Sequence, residues 1–488
     1  MQQSQFNNLV DQGFNHIPLS REVVVDTDTP LALYLKLANT PFTYFLESVQ
    51  GGEKWGRYSF IGLSAETTIK VKEYEVLVEK NGHLHQQYKV DDPLAWIQNY
   101  QEQFKVPQLD HLPDFNGGLV GYFGYEIIRY IEPKLKNIDK KDELDVPDIL
   151  LMLSNDLLVV DNLTSKVHII THVNPDKESF EDGVGKLNSI ERNIKKSNIH
   201  DSPESEKIKS KDFVSSFGKE NFVSAVEKVQ KYITAGDVMQ VVPSQRLSCK
   251  FKSNPVELYR QLRILNPSPY MYYLHLDDFA IVGSSPEILT RVDNDNVATI
   301  RPIAGTRSRG KTLEEDRNNE KDLLSDEKEI AEHLMLIDLG RNDLGRIAKT
   351  GTVNLTDKMF IERYSHVMHI VSNVECELKD DMSSIDVLRA TFPAGTLSGA
   401  PKVRAMEIID EVETLKRNIY SGAIGNLSWH GGMDLAIAIR TAIVKNEVLY
   451  VQAGAGIVHD SIPEMEWQET MDKAQALIRA AQNIYCLL

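Results

Sequence analysis

The sequence predicts a mixed α/β protein built on antiparallel sheets, with helices between the groups of strands. Two groups of short apolar segments support this prediction, and the links within each group are only a few residues long. They lie at 270–276, 279–283, 287–292 and 297–304, and then at 420–429, 433–444 and 447–456. Because a parallel crossover needs a dozen or more residues, such short links permit only antiparallel pairing.

The remaining segments fit the same class. Residues 68–90 alternate apolar and polar side chains and turn at Asn81-Gly82, which predicts a hairpin. A second hairpin is predicted within 150–173. Between 175 and 216 the chain is charged and poor in large apolar residues, and the second half of this stretch is predicted to be a surface linker. Apolar residues then recur at helical spacing from Phe222 onward.

Charge and cysteine content exclude several classes of function. The chain has 54 basic and 71 acidic side chains and a formal net charge of −17 at pH 7. Nucleic acids and anionic membranes bind positive surfaces, so neither is expected as a partner. The three cysteines form no CxxC pair, which predicts neither a disulfide framework nor a zinc site. With no signal-like segment and no long apolar run, we expect a soluble, cytoplasmic protein.

One stretch has the spacing of a phosphate-binding P-loop. In "IRPIAGTRSRGKT" at 300–312, four residues separate Gly305 from Gly310, and Lys311 and Thr312 follow. A P-loop lies between a parallel strand and a helix packed on the sheet. The next segment, "KTLEEDRNNEKD", contains one large apolar residue, Leu313, so it lacks a sheet-packing face. This context argues against a nucleotide site, although ATP binding lost in Lys311→Ala would support a P-loop hydrolase.

Two predicted helices each carry a pair of glutamates three residues apart, which places both members on one face. Glu329 and Glu332 belong to a helix whose predicted N-cap is Ser325, and Glu466 and Glu469 follow the capping-box sequence "SIPE" at 461–464. If the helices face each other, four carboxylates converge and suit Mg²⁺, a hard ion that takes oxygen ligands. Spacing alone fits two solvated glutamate-rich faces equally well.

Other segments have features that can hold a small anion. Gly454 and Gly456 in "QAGAGIV" end a predicted strand with accessible backbone N–H groups. The turn before Pro401 leads into a helix N-terminus. Arg440 lies in the apolar strand "LAIAIRTAIV", where a charge needs a partner. His369 lies in another apolar strand, where a core histidine and an acid–base group are both open readings.

Together these segments resemble the chorismate-utilising enzymes, and within them the large subunits (component I) of anthranilate synthases. The resemblance extends in unbroken order from about residue 217 to the end, and more thinly through "FLES" (45–48) and "RYSFIG" (57–62). The matching segments are "MQVVPSQR" (239–246), "NPSPYMYY" (266–273), "GSSPEIL" (283–289), "RPIAGTRSRG" (301–310), "AEHLMLIDLGRNDLGR" (331–346), "HVMHIVS" (366–372), "FPAGTLSGAPKVRAMEII" (392–409), "YSGAIG" (420–425), "IAIRTA" (437–442), "QAGAGIV" (452–458) and "ETMDKA" (469–474).

The resemblance implies one large α/β (α+β) fold in which two mostly antiparallel sheets sandwich helices. Residues 1–200 would form the N-terminal, tryptophan-regulatory part, and 217–488 the chorismate-binding catalytic part. A Mg²⁺ ion would be held by Glu332 and Glu469, with Glu329 and Glu466 beside them. The implied chorismate-binding residues are Gly305, Thr306, Tyr420, Arg440, Gly454, Ala455, Gly456 and Lys473.

Two positions distinguish the reactions within this family. Aminodeoxychorismate synthases carry a nucleophilic lysine at the position of Ala304, and isochorismate synthases carry a water-activating lysine at that of Gln240. The methyl group of Ala304 cannot act as a nucleophile, and the amide of Gln240 cannot activate water at neutral pH. The resemblance therefore implies direct attack by ammonia, giving anthranilate and pyruvate in the first step of tryptophan biosynthesis. It implies catalytic roles for Glu287 as general acid, His369 in the loss of pyruvate, and Thr396.

The resemblance also implies partners and an inhibitor. None of the cysteines lies in a nucleophile turn, so ammonia is expected from a separate glutamine amidotransferase subunit (component II) in a heterotetramer. The residues matching the family's tryptophan-inhibition site are Glu47, Ser48, Lys54, Pro269, Tyr270 and Met271. An aminodeoxychorismate or isochorismate synthase on the same scaffold remains an alternative, as does a non-catalytic tryptophan-binding regulator, which would require a defective metal site.

Overall fold

A computed structural model describes residues 1–49, 56–136, 140–196, 208–364 and 367–484. In chain order the α-helices of these residues are α1 (Gln3–Asp11), α2 (Pro30–Leu37), α3 (Pro93–Gln101), α4 (Ile128–Ile131), α5 (Phe180–Lys196), α6 (Lys219–Thr234), α7 (Pro255–Leu265), α8 (Leu313–Ser325), α9 (Glu327–Gly345), α10 (Ser384–Thr391), α11 (Gly395–Ser398), α12 (Lys402–Val412) and α13 (Pro463–Asn483). Within this described part of the chain, no helix is both long and apolar enough to cross a bilayer.

The strands are β1 (Ile17–Val24), β2 (Thr43–Glu47), β3 (Tyr58–Gly62), β4 (Thr67–Lys72), β5 (Glu75–Lys80), β6 (His83–Lys89), β7 (Gly118–Phe123), β8 (Ile149–Ser154), β9 (Asp156–Asp161), β10 (Lys166–Val173), β11 (Val214–Ser215), β12 (Gln240–Val241), β13 (Ser244–Lys250), β14 (Tyr270–Leu276), β15 (Phe279–Ser285), β16 (Ile288–Val292), β17 (Val297–Ile300), β18 (Ile303–Ser308), β19 (Asn354–Arg363), β20 (Val367–Glu377), β21 (Gly399–Ala400), β22 (Ala423–Ser428), β23 (Met433–Ile437), β24 (Thr441–Lys445) and β25 (Val448–Gly454).

Two large sheets organise the fold, and their strands pair antiparallel, as predicted. Among the described residues, the first sheet has the order β1-β10-β9-β3-β2-β14-β15-β24-β25-β13-β11. The second has the order β18-β20-β17-β16-β23-β22-β7-β8-β4-β5-β6, with β19 also paired to β20, and β12 and β21 form a separate short pair. The early and late parts of the chain share both sheets, because β2 pairs with β14 in the first and β7 with β22 in the second.

The two sheets pack on each other through their inner faces. This inner core combines Tyr122 and Met152 of the second sheet with Val159, Tyr272 and Ile281 of the first. Helices α2, α5, α7 and α13 cover the outer face of the first sheet, and α3, α9 and α10 cover that of the second. The two-sheet α+β class is confirmed. The helices, however, lie mainly outside the sheets rather than between them, because the inner apolar faces already bury each other.

Two strand predictions need correction. The segment 68–90 forms three strands rather than a hairpin, because the chain turns at Glu73-Tyr74 as well as at Asn81-Gly82. The segment 297–304 divides into β17 and β18 at Arg301-Pro302, and both of these strands pair with β20. Proline has no N–H for a ladder, which accounts for the interruption.

Two helix starts were also assigned wrongly. Asp326, not Ser325, caps α9, since its carboxylate accepts the N–H groups of Lys328 and Glu329 at 3.1 and 3.3 Å. Ser461 does not cap α13, which begins after Ile462; the Ser461 hydroxyl accepts the N–H of Val458. In both cases a competing polar group or turn next to the predicted cap decided where the helix begins. In the stretch 175–216, the first half contains α5; of the second half, which is the predicted linker, residues 197–207 lie outside the described residues.

Candidate active site

A β-bulge between β18 and β20 forms one wall of the site. Ala304 pairs with Ile370 and Thr306 pairs with His369, which leaves Gly305 as the extra residue. Gly305 has a φ of 67°, a conformation that favours glycine. The bulge directs the Gly305 carbonyl toward His369 Nδ1, 2.9 Å away, and the Thr306 hydroxyl lies 3.1 Å from the same nitrogen. The structure thus brings together three residues that the sequence analysis assigned to the site.

The contact with Gly305 defines the protonation state of His369. A carbonyl only accepts hydrogen bonds, so Nδ1 must carry the proton in this contact and Nε2 keeps its lone pair. Burial lowers the pKa of His369, and the nearby positive charge of Arg440 acts in the same direction. The lowered pKa favours the neutral imidazole, in which Nε2 can accept a proton.

Glu287 is suited to the opposite role. It lies between β15 and β16, and burial raises the pKa of its carboxyl group from 4.5 to about 7. The hydroxyl of Thr396, on α11, donates to Glu287 Oε1 at 3.0 Å and partly opposes this increase. The main chain is held as well, because the N–H of Ile437 donates to the Glu287 carbonyl at 3.0 Å. A substantial fraction of Glu287 is thus protonated near neutral pH and can donate a proton.

Arg440 supplies a positive charge in a desolvated position. The sequence placed it inside a strand, but it lies between β23 and β24, where the chain passes from the second sheet to the first, with a φ of 50°. Burial lowers the pKa of its guanidinium group, and no carboxylate among the described residues pairs with it. A half-buried, unpaired arginine with a strained backbone is typical of a site for an anion.

A backbone corner at the end of β25 adjoins this charge. Tyr420 lies against Gly454, where an added Cβ would be 2.8 Å from the Tyr420 hydroxyl and 2.7 Å from the carbonyl oxygen of Pro243. Lys473, on α13, donates to the Gly454 carbonyl at 3.0 Å. A Cβ on Gly456 would be 2.8 Å from Gln240 Nε2. The glycines therefore allow these side chains to approach the main chain closely, and the buried Ala455 lies between them.

The four glutamates line the same region but do not converge on one point. Within the described ranges, no group of three or more histidine, cysteine, aspartate and glutamate side chains is arranged to hold a metal ion. Glu332 instead accepts the Gln240 amide at 3.3 Å, and Glu329 and Glu469 contact cationic side chains at 3.3 and 2.7 Å. The expected four-carboxylate cluster is therefore not preformed in this structure.

The donor set nevertheless fits a hard cation. Burial raises the pKa of both Glu329 and Glu466, and in each case the negative charge of the partner glutamate three residues away raises it further. A divalent cation relieves such desolvation and repulsion, and oxygen-only ligands suit Mg²⁺.

A second site is a cavity of about 370 Å³ between the two sheets. All five described residues of the expected tryptophan site line it: Glu47, Ser48, Pro269, Tyr270 and Met271. Lys54 lies outside the described residues. Glu47 ends β2 and Ser48 follows it, whereas Pro269 precedes β14 and Tyr270 and Met271 begin it. Pairing of these strands places Met271 opposite Glu47. The Glu47 carboxylate is buried, accepts the Tyr259 hydroxyl and binds Arg263 Nε at 2.6 Å.

The P-loop-like segment does not form a phosphate cradle. Its strand β18 pairs antiparallel with β20, and Thr312 is the N-cap of α8 through its hydroxyl. Leu313 is 81% exposed, so the following helix does not pack on a sheet through it. The segment therefore lacks the parallel strand and sheet-packed helix that a P-loop requires.

Sequence reasoning missed several polar groups near these sites. Asp434 lines the cavity and accepts the Tyr270 hydroxyl at 2.9 Å. The sequence did contain a signal for Asp434, because it is a charged residue in an apolar strand, the same feature that singled out Arg440. Glu413 and Arg417 form a buried ion pair beneath Tyr420. Their spacing of four residues in "ETLKRNIY" resembles an ordinary surface helix pair, and no local pattern distinguishes the two cases.

The fold, the desolvated Arg440 and the ionisable groups around it are typical of an enzyme that binds an anionic small molecule. The chain belongs to the chorismate binding enzyme family, whose sequence model matches residues 53–479.

Within this family, the similar proteins with the higher sequence identities have the same name. The chain is 58% identical over 477 residues to a protein of Neisseria meningitidis serogroup A named anthranilate synthase component 1, covering 97% of this chain and 96% of that protein. It is 53% identical to the protein of the same name from Pseudomonas putida, covering 98% of each. The crystal structure of anthranilate synthase component I from Streptococcus pneumoniae matches with a TM-score of 0.78 at 38% identity, over 94% of this chain and 99% of that one. The menaquinone-specific isochorismate synthase of Escherichia coli shares the fold, with a TM-score of 0.71 at 19% identity, over 99% of this chain and 100% of that one.

Proposed function

We propose that this protein is the large subunit of an anthranilate synthase, which converts chorismate and ammonia to anthranilate, pyruvate and water. The observation that carries this proposal is a site that supplies a carboxyl group with a pKa raised to about 7 at Glu287, an imidazole with a lowered pKa at His369, and Arg440, with which no carboxylate of the described residues pairs. The names of relatives at 53% and 58% identity support the same reaction.

Two side chains favour amination over the neighbouring reactions. Ala304 places a methyl group at the bulge beside Gly305, and Gln240 places an amide beside Glu332 and Gly456. A methyl group cannot attack the substrate ring, and an amide does not activate water at neutral pH. Ammonia is then the nucleophile for which this pocket is best suited.

In the proposed first step, ammonia forms a bond to the ring carbon next to the carboxylate-bearing carbon while the bond to the 4-hydroxyl group breaks. Glu287 gives its proton to the departing oxygen, which leaves as water, and the Thr396 hydroxyl keeps the resulting carboxylate in place. Arg440 and the corner formed by Tyr420 and Gly454 would hold the anionic end of the substrate that carries the enolpyruvyl group.

In the proposed second step, the aminated intermediate loses pyruvate and becomes aromatic. His369 Nε2 accepts the proton from the aminated ring carbon, since Nδ1 already donates to Gly305. The ring C–O bond breaks, and the departing enolpyruvyl group takes up one proton to become pyruvate. Aromatisation makes this step strongly favourable.

Glu332 and Glu469, with Glu329 and Glu466 beside them, would hold Mg²⁺. When bound, the ion supplies positive charge for the ring carboxylate of chorismate and polarises the substrate. Lys473 contacts Glu469, and Arg307 contacts Glu329. When the ion binds, each cationic side chain would either leave its glutamate or bind it together with the ion.

We also propose that ammonia comes from a glutamine amidotransferase partner in a heterotetramer. Burial raises the pKa of Cys249 to about 12 and that of Cys376 to about 11, so neither is a thiolate at neutral pH. Cys486 lies outside the described residues. The name "component 1" of the relatives also supports a second subunit.

The cavity between the sheets is proposed to bind tryptophan as an inhibitor. Its volume suits an amino acid with a large side chain, and both carboxylates and apolar groups line it. Ser48→Phe fills part of the cavity, so we expect inhibition by tryptophan to weaken at least tenfold while uninhibited activity remains. Ser64→Phe, at an exposed position, is the matched control. Equal sensitivity of both variants to tryptophan would contradict this location.

The main proposal is tested with the purified chain, chorismate, ammonium and Mg²⁺ at mildly alkaline pH. We expect anthranilate, followed by its fluorescence, and pyruvate in equal amounts, both abolished by EDTA. Aminodeoxychorismate or isochorismate in the mass spectrum would instead indicate the alternative enzymes of this fold. Unreacted chorismate, even with a glutaminase partner and glutamine present, would leave a regulator that binds tryptophan without catalysis.

A further inference from the structure

A buried ion pair lies beneath the proposed active site. Glu413 is 6% exposed and Arg417 is 2% exposed. Two hydrogen bonds join them, from Arg417 Nη2 to Glu413 Oε1 at 2.6 Å and from Arg417 Nε to Glu413 Oε2 at 3.0 Å. The pair follows α12, and its guanidinium group lies 5.5 Å from the centre of the Tyr420 ring.

The other guanidinium donors bind two segments that are more distant in sequence, and the turn that follows Arg417. Nη1 donates to the carbonyl of Leu397 at 2.9 Å and to the hydroxyl of Ser421 at 3.1 Å. Nη2 donates to the carbonyl of Val242 at 2.7 Å. With the two bonds to Glu413, these contacts use all five N–H groups of the side chain.

Glu413 makes further contacts with the segment that contains Val242. Its Oε1 accepts the N–H of Ser244 at 2.7 Å and the Ser244 hydroxyl at 2.9 Å. Ser244 is paired with Gly454 in the ladder between β13 and β25. The ion pair therefore contacts the strand that determines where the Gly454 carbonyl and its neighbours lie.

Each contacted residue lies next to a residue of the proposed site. Leu397 follows Thr396, Val242 is two residues after Gln240, Ser421 follows Tyr420, and Ser244 pairs with Gly454. We propose that the Glu413–Arg417 pair is a positioning element that holds these three segments, and through Ser244 the paired strand β25, in register for catalysis, an inference that rests on the proposed function. In this role each side chain acts through main-chain groups and serine hydroxyls of its neighbours, not through a contact with the substrate.

A buried ion pair contributes little net stability, because the loss of hydration offsets the attraction. Replacing both partners by apolar residues of similar size is therefore often tolerated, whereas removing one partner leaves an uncompensated charge. The double variant Glu413→Leu/Arg417→Met is thus expected to fold while losing every contact described above. A pair that matters only for stability would allow normal catalysis in a folded double variant.

The experiment compares the double variant with wild type and with Asp28→Leu/Lys36→Met, a half-buried pair beside α2. Thermal unfolding gives the folded fraction, and steady-state kinetics give kcat and the KM for chorismate. We expect kcat/KM per folded molecule to fall about 100-fold in the Glu413/Arg417 variant, with a higher KM, because displacements near 1 Å cost about that much. The control variant is expected to remain within about threefold of wild type. A folded Glu413/Arg417 variant within threefold of wild type would overturn the proposal.

Hydrogen–deuterium exchange gives a readout that does not depend on activity. The proposal expects faster exchange in 239–246, 395–400, 420–425 and 452–457 of the double variant, and unchanged exchange in these segments refutes it. If the double variant does not fold, Arg417→Lys keeps the charge but loses the planar set of donors, and the same exchange and kinetic results decide. Wild type that makes no anthranilate refutes the proposed function, whereas the exchange result still decides the role of the pair.

Discussion

Glu287 offers the sharpest test of the proposed chemistry. If its pKa had the ordinary value of 4.5, only about one molecule in 300 would be protonated at pH 7, whereas a pKa of about 7 leaves about half protonated. Burial therefore increases the available general acid about 150-fold at neutral pH. Glu287→Gln keeps the shape and can still accept the Thr396 hydroxyl, but it has no acidic proton to give.

We expect Glu287→Gln to lower kcat by about 10²–10⁴-fold at pH 7, with little change in the KM for chorismate. The wild-type rate should fall as pH rises through about 7, because the protonated form is the active one. Its advantage over the variant should thus shrink about 50-fold between pH 7 and pH 9. Since the un-ionised fraction of ammonium also rises with pH, rates must be compared at equal concentrations of free ammonia.

Thr396→Val provides a second, independent sign. The Thr396 hydrogen bond lowers the pKa of Glu287, so its removal should move the alkaline limit of activity to higher pH. Glu227→Gln, on the exposed face of α6, controls for the loss of a carboxylate. An advantage of wild type over Glu287→Gln that is independent of pH, or a limit that moves downward in Thr396→Val, would refute the role of Glu287 as general acid.

Three further predictions concern the pocket. Gly454→Ala would place a Cβ 2.7 Å from a backbone oxygen, so kcat/KM should fall about 100-fold, or about 2.7 kcal/mol in transition-state binding. The control, Gly185→Ala, lies in open space on α5 and should leave kcat/KM unchanged. Equal kcat/KM values for the two variants would contradict the close approach at Gly454. Glu332→Gln should raise the Mg²⁺ concentration for half-maximal activity about tenfold or more, and an unchanged requirement after EDTA treatment would exclude it as a ligand. His369→Gln should slow pyruvate release about 100-fold, with an aminated intermediate detected by mass; slower loss of chorismate without that intermediate would place the histidine in the first step.

Sequence patterns predicted the local elements well where the signal was itself local. Short links between apolar segments predicted antiparallel sheets, and β14 and β15 match their predicted ranges closely. Errors arose where two adjacent groups competed, as when Asp326 rather than Ser325 capped α9. Proline at 302 divided a predicted strand that alternation alone would have continued.

The sequence predicted which residues belong to the candidate site better than it predicted how they are arranged. Gly305, Thr306 and His369 do lie in contact. The β-bulge that brings them together is a register shift between two strands, and the sequence of neither strand alone shows it. The position of Arg440 at the crossing between the sheets depends on which strands its neighbours join. The Glu413–Arg417 pair was missed because opposite charges four residues apart are common on exposed helices.

The sequence by itself determined the antiparallel class, the family and the chemical groups available, because turn lengths and motifs are written in neighbouring residues. Only the tertiary structure decided that the sheets pack on each other, that Glu47 and Met271 share a cavity, and that the four glutamates remain apart. These contacts and distances involve residues that are far apart in the chain. They depend on the order of the strands and on which surfaces are buried, and both are properties of the whole fold rather than of one segment. Burial also raised the pKa of Glu287 to about 7 and thereby made an ordinary glutamate a candidate acid.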